Sequence, residues 1–109
     1  MQRTYYCNSI NLFNSSPLLE ILGILAKSNE FDLQVSQRET WEKQIIFLKS
    51  ILEDYEGTIL FEFSIPRMGR RIDVVLIIKH VVFVLEFKIG EKKYLNNALY
   101  QVRDYAVDK

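Results

Sequence analysis

Two apolar runs rich in Val, Ile and Phe lie back to back at residues 72–78 and 81–87, with only Lys79-His80 between them. No other feature of the sequence restricts the fold so tightly. Runs of this composition, split by a short polar pair, form a hairpin of buried β-strands. Charges intrude where a buried strand should carry none. Asp73 comes early in the first run, and Glu86 and Lys88 close the second. A buried charge is costly unless it is paired or bound to a metal, so these residues need a purpose.

A turn at Lys79-His80 fixes the register. Ile78 then faces Val81, and stepping outward puts Asp73 opposite Glu86 and Arg71 opposite Lys88. Directly opposed side chains share a sheet face, with Cβ atoms roughly 4.5–5.5 Å apart. Glu86 and Lys88 are two residues apart, so they share that face as well. The hairpin therefore gathers two carboxylates, a lysine and an arginine. Upstream, Thr58–Ile65 alternates in polarity and reads as a strand, and Pro66-Arg67-Met68-Gly69 reads as a turn. With a four-residue loop there, Glu62 comes to lie opposite Asp73 as a further acid. A slip of one residue sends it to the other face.

Two purposes fit this cluster. A carboxylate pair on neighbouring strands is a hard-oxygen site suited to Mg²⁺. A lysine beside it can orient a water or steady charge on a phosphate. Metal and lysine together suffice to cleave a phosphodiester. The other purpose is structural, with Asp73 paired to Arg71 and Glu86 to Lys88. Buried ion pairs seldom offset their own desolvation, which favours the functional purpose. Arg71 opposite Lys88 is repulsive unless an anion, such as a phosphate or Glu91, lies between them. His80, the only histidine, reads as a solvated turn residue.

Composition sets the outer bounds. A chain of 109 residues, 49% of them apolar, makes one domain with a real core. It contains no apolar run of the 18 or so residues that a membrane span requires. No apolar segment follows Arg3, so the start does not read as a signal peptide. The single Cys7 excludes an internal disulfide and a Cys-rich zinc site, and it fits a reducing cytoplasm. Residues 1–56 hold five Lys/Arg against eight Asp/Glu, and residues 57–109 hold nine against six. The basic half is the one with the hairpin, which suits a phosphate-bearing partner there.

The remaining elements follow in order. Ser9 is placed to cap a short turn over residues 10–13. Ser16-Pro17 reads as an N-cap with proline at the first helical position, opening an amphipathic helix over 17–27. Residues 31–35 read as extended. A long helix is expected over about 37–55, with Trp41, Ile45, Leu48, Leu52 and Tyr55 as its buried stripe and Gly57 as its stop. Glu42 borders that stripe. After the hairpin, a polar loop leads to a helix over about 94–107 with the stripe Leu95, Ala98, Leu99, Val102 and Ala106. Gln101 and Tyr105 stand one turn apart on it. The expected class is α/β with an α+β-like arrangement, a three-stranded antiparallel meander flanked by helices. Residues 1–35 would be a helical extension and residues 37–107 the core of a single domain.

Asp73, then Glu86-Phe87-Lys88, then Gln101-Val102-Arg103-Asp104-Tyr105 resemble the PD-(D/E)xK nuclease superfamily. That pattern has an Asp on one strand, Glu-x-Lys on the next and Gln-x-x-x-Tyr on the following helix. Asn8-Ser9-Ile10, Trp41-Glu42-x-Gln44-Ile45, residues 65–76 and residues 85–90 look more narrowly like the nuclease-like domain that precedes an ATP-dependent DNA/RNA helicase in bacterial and phage-defence proteins. The resemblance spans nearly the whole chain. It implies a restriction-endonuclease-like core and a Mg²⁺- or Mn²⁺-dependent nuclease, acting on DNA ahead of RNA. Asp73, Glu86 and the backbone carbonyl of Phe87 would hold the metal, with Glu42 and Glu62 ranked behind them. Lys88 would position the attacking water. Gln101 and Tyr105 would support the site or touch the nucleic-acid backbone. Arg67, Arg70, Arg71, Lys92 and Lys93 would meet phosphates.

The same resemblance implies a final core strand that the chain does not supply. Such a chain looks like the front of a longer helicase-associated protein, or a short form whose sheet is completed by residues 3–7, by residues 31–35 or by a second subunit. No phosphate loop of an ATPase is present in the sequence, so a helicase module would lie elsewhere. The alternative is an inactive nuclease-like module that binds nucleic acid or scaffolds a helicase.

Overall fold

A computed structural model describes residues 3–29, 35–87 and 103–106. The order is β1 (Tyr6–Ser9), α1 (Ile10–Ser15), α2 (Leu18–Ser28), α3 (Val35–Ile51), β2 (Thr58–Ile65), β3 (Arg70–Ile78), β4 (Val81–Leu85) and β5 (Arg103–Ala106). The class is α+β. The strands form one antiparallel sheet in the order β1-β2-β3-β4-β5. No helix among the described residues is long and apolar enough to cross a membrane.

The central hairpin follows from sequence period. β3 and β4 pair from Ile78↔Val81 to Val74↔Leu85, the expected register. Lys79 turns the chain with φ 58, a left-handed conformation that L-residues seldom adopt. β2 pairs with β3 in the register that places Glu62 against Asp73. The loop between them is a 3₁₀ turn at Pro66–Met68, closed by Gly69 in the left-handed region at φ 62.

The core lies between one face of the sheet and the helices. Trp41, Ile45 and Leu48 of α3 pack with Ile59, Phe61, Val74, Leu76 and Leu85 of the sheet. Ile21, Leu22 and Leu25 of α2 and Ile10 and Phe13 of α1 complete it. Trp41 is 1% exposed, as a core anchor should be. The first helix and α3 cap one another. Lys49 Nζ donates to the carbonyls of Phe13 (2.7 Å), Asn14 (3.1 Å) and Ser16 (2.6 Å). Asn14 Nδ2 donates to the Leu52 carbonyl at 2.8 Å. Carbonyls left free at helix ends are thereby satisfied.

Several expectations are corrected. Residues 103–106 are not helical; they form β5 on the outer edge of β4, from Val81↔Ala106 to Val84↔Arg103. An apolar, β-branched edge with bare N–H and C=O groups offers a stronger partner than helix propensity does. Residues 94–102 of the expected helix lie outside the described residues. The sheet has five strands rather than three. The segment read as a helical extension supplies β1, which pairs with β2 from Tyr6↔Phe61 to Ser9↔Thr58.

At residue 9 the expected cap is present, with Ser9 Oγ accepting from the Leu12 N–H at 3.0 Å. Ser16 instead closes α1, and Pro17 takes the N-cap position of α2. Val35 opens α3 rather than ending an extended segment, and residues 31–34 lie outside the described residues. α3 ends at Ile51, so Tyr55 is exposed and Gly57 is not its stop. Gly57 (φ 154) serves the entry to β2, where a Cβ would run into the Ile77 carbonyl oxygen. Its own carbonyl accepts from the Ile10 N–H at 2.8 Å.

Candidate functional site

The acids gather where β2, β3 and β4 run on past their helix-covered middle. Asp73 is half-buried on β3, and one step beyond Val74↔Leu85 sets it beside Glu86. Its Oδ2 accepts from the backbone N–H of Phe87 at 2.9 Å. Glu86, just past β4, forms an ion pair with Arg70. The structural pairing of Asp73 with Arg71 is not formed. Among the described residues Asp73 has no ion-pair partner.

Glu62 joins these acids by an unusual route. It sits inside β2 with φ 56, one of two described non-glycine residues with positive φ. The β2–β3 ladder keeps one register from Phe61↔Val74 to Phe63↔Ile72 but skips Glu62 and Asp73. Glu62 Oε2 accepts from Trp41 Nε1 at 3.1 Å. Arg71 Nη1 donates to the Glu62 carbonyl at 2.9 Å, and its guanidinium lies 4.5 Å from the centre of the Tyr5 ring.

Electrostatics couple the three acids in a line. Burial pushes the Asp73 carboxyl above its ordinary range; the Phe87 N–H opposes this, the Glu86 charge adds to it, and Arg70 opposes it. Burial likewise pushes Glu62 up, against the Trp41 hydrogen bond, with the Asp73 charge raising it further and Arg71 lowering it. Asp73 is thus the middle acid, repelled from both sides.

The donor set fits a hard divalent cation in chemistry, since carboxylate oxygens are its natural ligands. The repulsion that raises Asp73 beside Glu86, and Glu62 beside Asp73, is relieved by a positive charge. Arg70 gives that relief to Glu86 by an ion pair. Its side chain is 49% exposed, so it is free to swing out. Among the described residues, no three His, Cys, Asp or Glu already form a metal cage.

The other expected residues divide clearly. Glu42 is half-buried on α3, and no hydrogen bond or ion pair joins it to these acids. Arg67 is exposed on the 3₁₀ turn. Arg71 is engaged by Glu62 and Tyr5 rather than open to a phosphate. Tyr105 lies on β5 across from Val82 and not on the expected helix. Lys88, Lys92, Lys93 and Gln101 lie outside the described residues, as does the expected pairing of Arg71 with Lys88.

Sequence reasoning missed Trp41 as a donor, the Phe87 N–H and the Arg70–Glu86 pair. The available signal was Glu62 itself, a lone charge between Phe61 and Phe63. The sequence reading named Gln44 within a motif but gave it no role, and Gln44 shares the buried face of α3 with Trp41. Gln44 is the one buried polar residue described, and its Oε1 is unpaired among the described residues.

Comparison with known proteins adds no relative: no family model, curated protein or solved structure is significantly similar to this chain.

Proposed function

We infer that this chain carries a metal-dependent phosphodiester-hydrolysing site, acting on DNA ahead of RNA. The supporting observation is Asp73 on β3 beside Glu86 just past β4, with Asp73 in no ion pair among the described residues. Asp73 and Glu86 would hold Mg²⁺ or Mn²⁺. A bound divalent cation lowers the pKa of a water and polarises the phosphoryl oxygens.

The chain's own groups do the rest. The Phe87 N–H fixes the Asp73 carboxylate. Lys88 lies two residues past Glu86, where an ammonium group can orient the attacking water or steady charge on the phosphate. With a cation held by Glu86, Arg70 would be released to meet a phosphate oxygen, as the exposed Arg67 could, and Lys92 and Lys93 would add positive charge for the same partner. Attack of water on phosphorus would form a new P–O bond and break the bond to the leaving oxygen, the proton lost by the water being balanced by one taken from solvent by the leaving oxygen. Tyr105 stands on β5 and not on a helix, and Gln101 lies outside the described residues.

A second reading draws on the Arg70–Glu86 pair, which occupies one of the two acids. In it the chain is a nuclease-like module that binds nucleic acid, or scaffolds a helicase partner, without cleaving.

Plasmid nicking in Mn²⁺ or Mg²⁺ separates the two. Asp73→Asn and Lys88→Ala should each lower the rate by roughly 100-fold or more. Lys88→Ala should still bind metal. Nicking by Lys88→Ala at the wild-type rate, or none by wild type, would contradict a hydrolytic role.

A further inference from the structure

Arginines surround the end of β2. On one edge, the Arg3 carbonyl accepts from the Ser64 N–H at 2.6 Å, which carries the β1–β2 register outward past Tyr6↔Phe61. On the other edge, Ile65 pairs with Arg70. Arg67 stands in the turn just beyond. Neighbouring strands lie about 4.8 Å apart, so the backbones of Arg3 and Arg70 flank β2 at a separation of roughly 10 Å. All three arginines are exposed. Only Arg70 has a carboxylate partner among the described residues, through its ion pair with Glu86.

Arg3 is the best prepared of the three. Its guanidinium carbon lies 5.4 Å from the centre of the Phe63 ring, and Phe63 is half-buried in β2. A guanidinium resting on an aromatic face keeps its plane fixed and its N–H edge open. Arg71 rests on Tyr5 in the same way, but it donates to the Glu62 carbonyl. The Arg3 side chain makes no hydrogen bond or ion pair among the described residues. An oriented fork of donors with no acceptor of its own suits a phosphate, which it can grip through two parallel bonds.

We propose that Arg3 contacts the phosphodiester backbone of DNA, and that with Arg67 and Arg70 it forms a phosphate track around the end of β2. This rests on reading the chain as one that acts on nucleic acid. The track would span about 10 Å, or roughly three nucleotide steps of 3.4 Å along one strand. Its contacts are to the backbone, so it would set the position of the strand beside Asp73 and Glu86 without reading sequence.

The test is fluorescence anisotropy of the full chain with labelled duplexes of several scrambled sequences, titrated across NaCl concentrations. EDTA is present throughout, so binding does not depend on a divalent cation. One phosphate contact contributes about 0.9 to the slope of log affinity against log salt. Arg3→Gln should lower the slope by that amount and weaken binding about fivefold at 0.15 M salt, equally for every sequence. Arg67→Gln should do the same, and the double variant should lose both increments. Arg3→Lys keeps the charge and should keep the slope. Lys79→Gln removes an exposed charge at the far end of β3 and should change neither reading. Wild-type slope and affinity in Arg3→Gln, or an equal loss in Lys79→Gln, would overturn the track while leaving nucleic-acid binding in place. No binding by wild type would overturn the nucleic-acid reading itself, and the track with it.

Discussion

Asp73 shows how burial and neighbours set the behaviour of one group. Its carboxyl, like that of Glu62, is raised chiefly by burial. A raised pKa in the folded state means the native chain holds these protons more tightly than the unfolded chain does. The stability they contribute is therefore full below the ordinary carboxylate pKa of about 4 and is lost as pH rises through the raised values. Asp73→Asn keeps an acceptor for the Phe87 N–H and removes the charge. It should melt a few degrees higher than wild type at neutral pH, with a flatter profile above about pH 4. Thermal melts across that range check this, and a lower neutral melting temperature would contradict it. The opposition of Asp73 and Glu86 was legible because strand period and turn position fix register by arithmetic. The hold of Trp41 on Glu62 was not. It depends on a positive φ, which tertiary contacts impose and no local pattern announces.

At the scale of elements, the hairpin and its neighbours were readable for a physical reason. The apolar runs and the breaks between them agreed with β2, β3 and β4, whose bounds lie close to those runs. β5 was not readable. Leu95, Ala98, Leu99, Val102 and Ala106 fit helical spacing, whereas pairing at residues 103–106 depends on the open edge of β4, far off in sequence. The end of α3 failed similarly. Its apolar stripe continues past Ile51, but Asn14 takes the Leu52 carbonyl and the chain turns away. The reciprocal capping of α1 and α3 makes its own prediction. Lys49→Met keeps the stem over the Phe13 ring and removes three charge-assisted hydrogen bonds. It should destabilise the fold by roughly 1.5–3 kcal/mol, read from urea unfolding. An unchanged midpoint would show that water serves those carbonyls equally well.

For the whole molecule, the antiparallel order places the acids and the apolar core along different stretches of the sheet's central strands. The helix-covered stretch, from Ile59 and Phe61 through Val74 and Leu76 to Leu85, supplies the core. The stretch beyond it carries Glu62, Asp73, Glu86 and Arg70, where charged groups reach solvent. The basic excess of residues 57–109 belongs to the same half of the chain, and it suits a polyanionic substrate. The account stands on one juxtaposition, a divalent cation shared by Asp73 and Glu86. Anomalous diffraction from crystals grown with Mn²⁺ tests it most directly. The account predicts a peak about 2.0–2.3 Å from carboxylate oxygens of both residues, with Arg70 swung away from Glu86. An Arg70–Glu86 pair left intact, with no peak at Asp73, would contradict it.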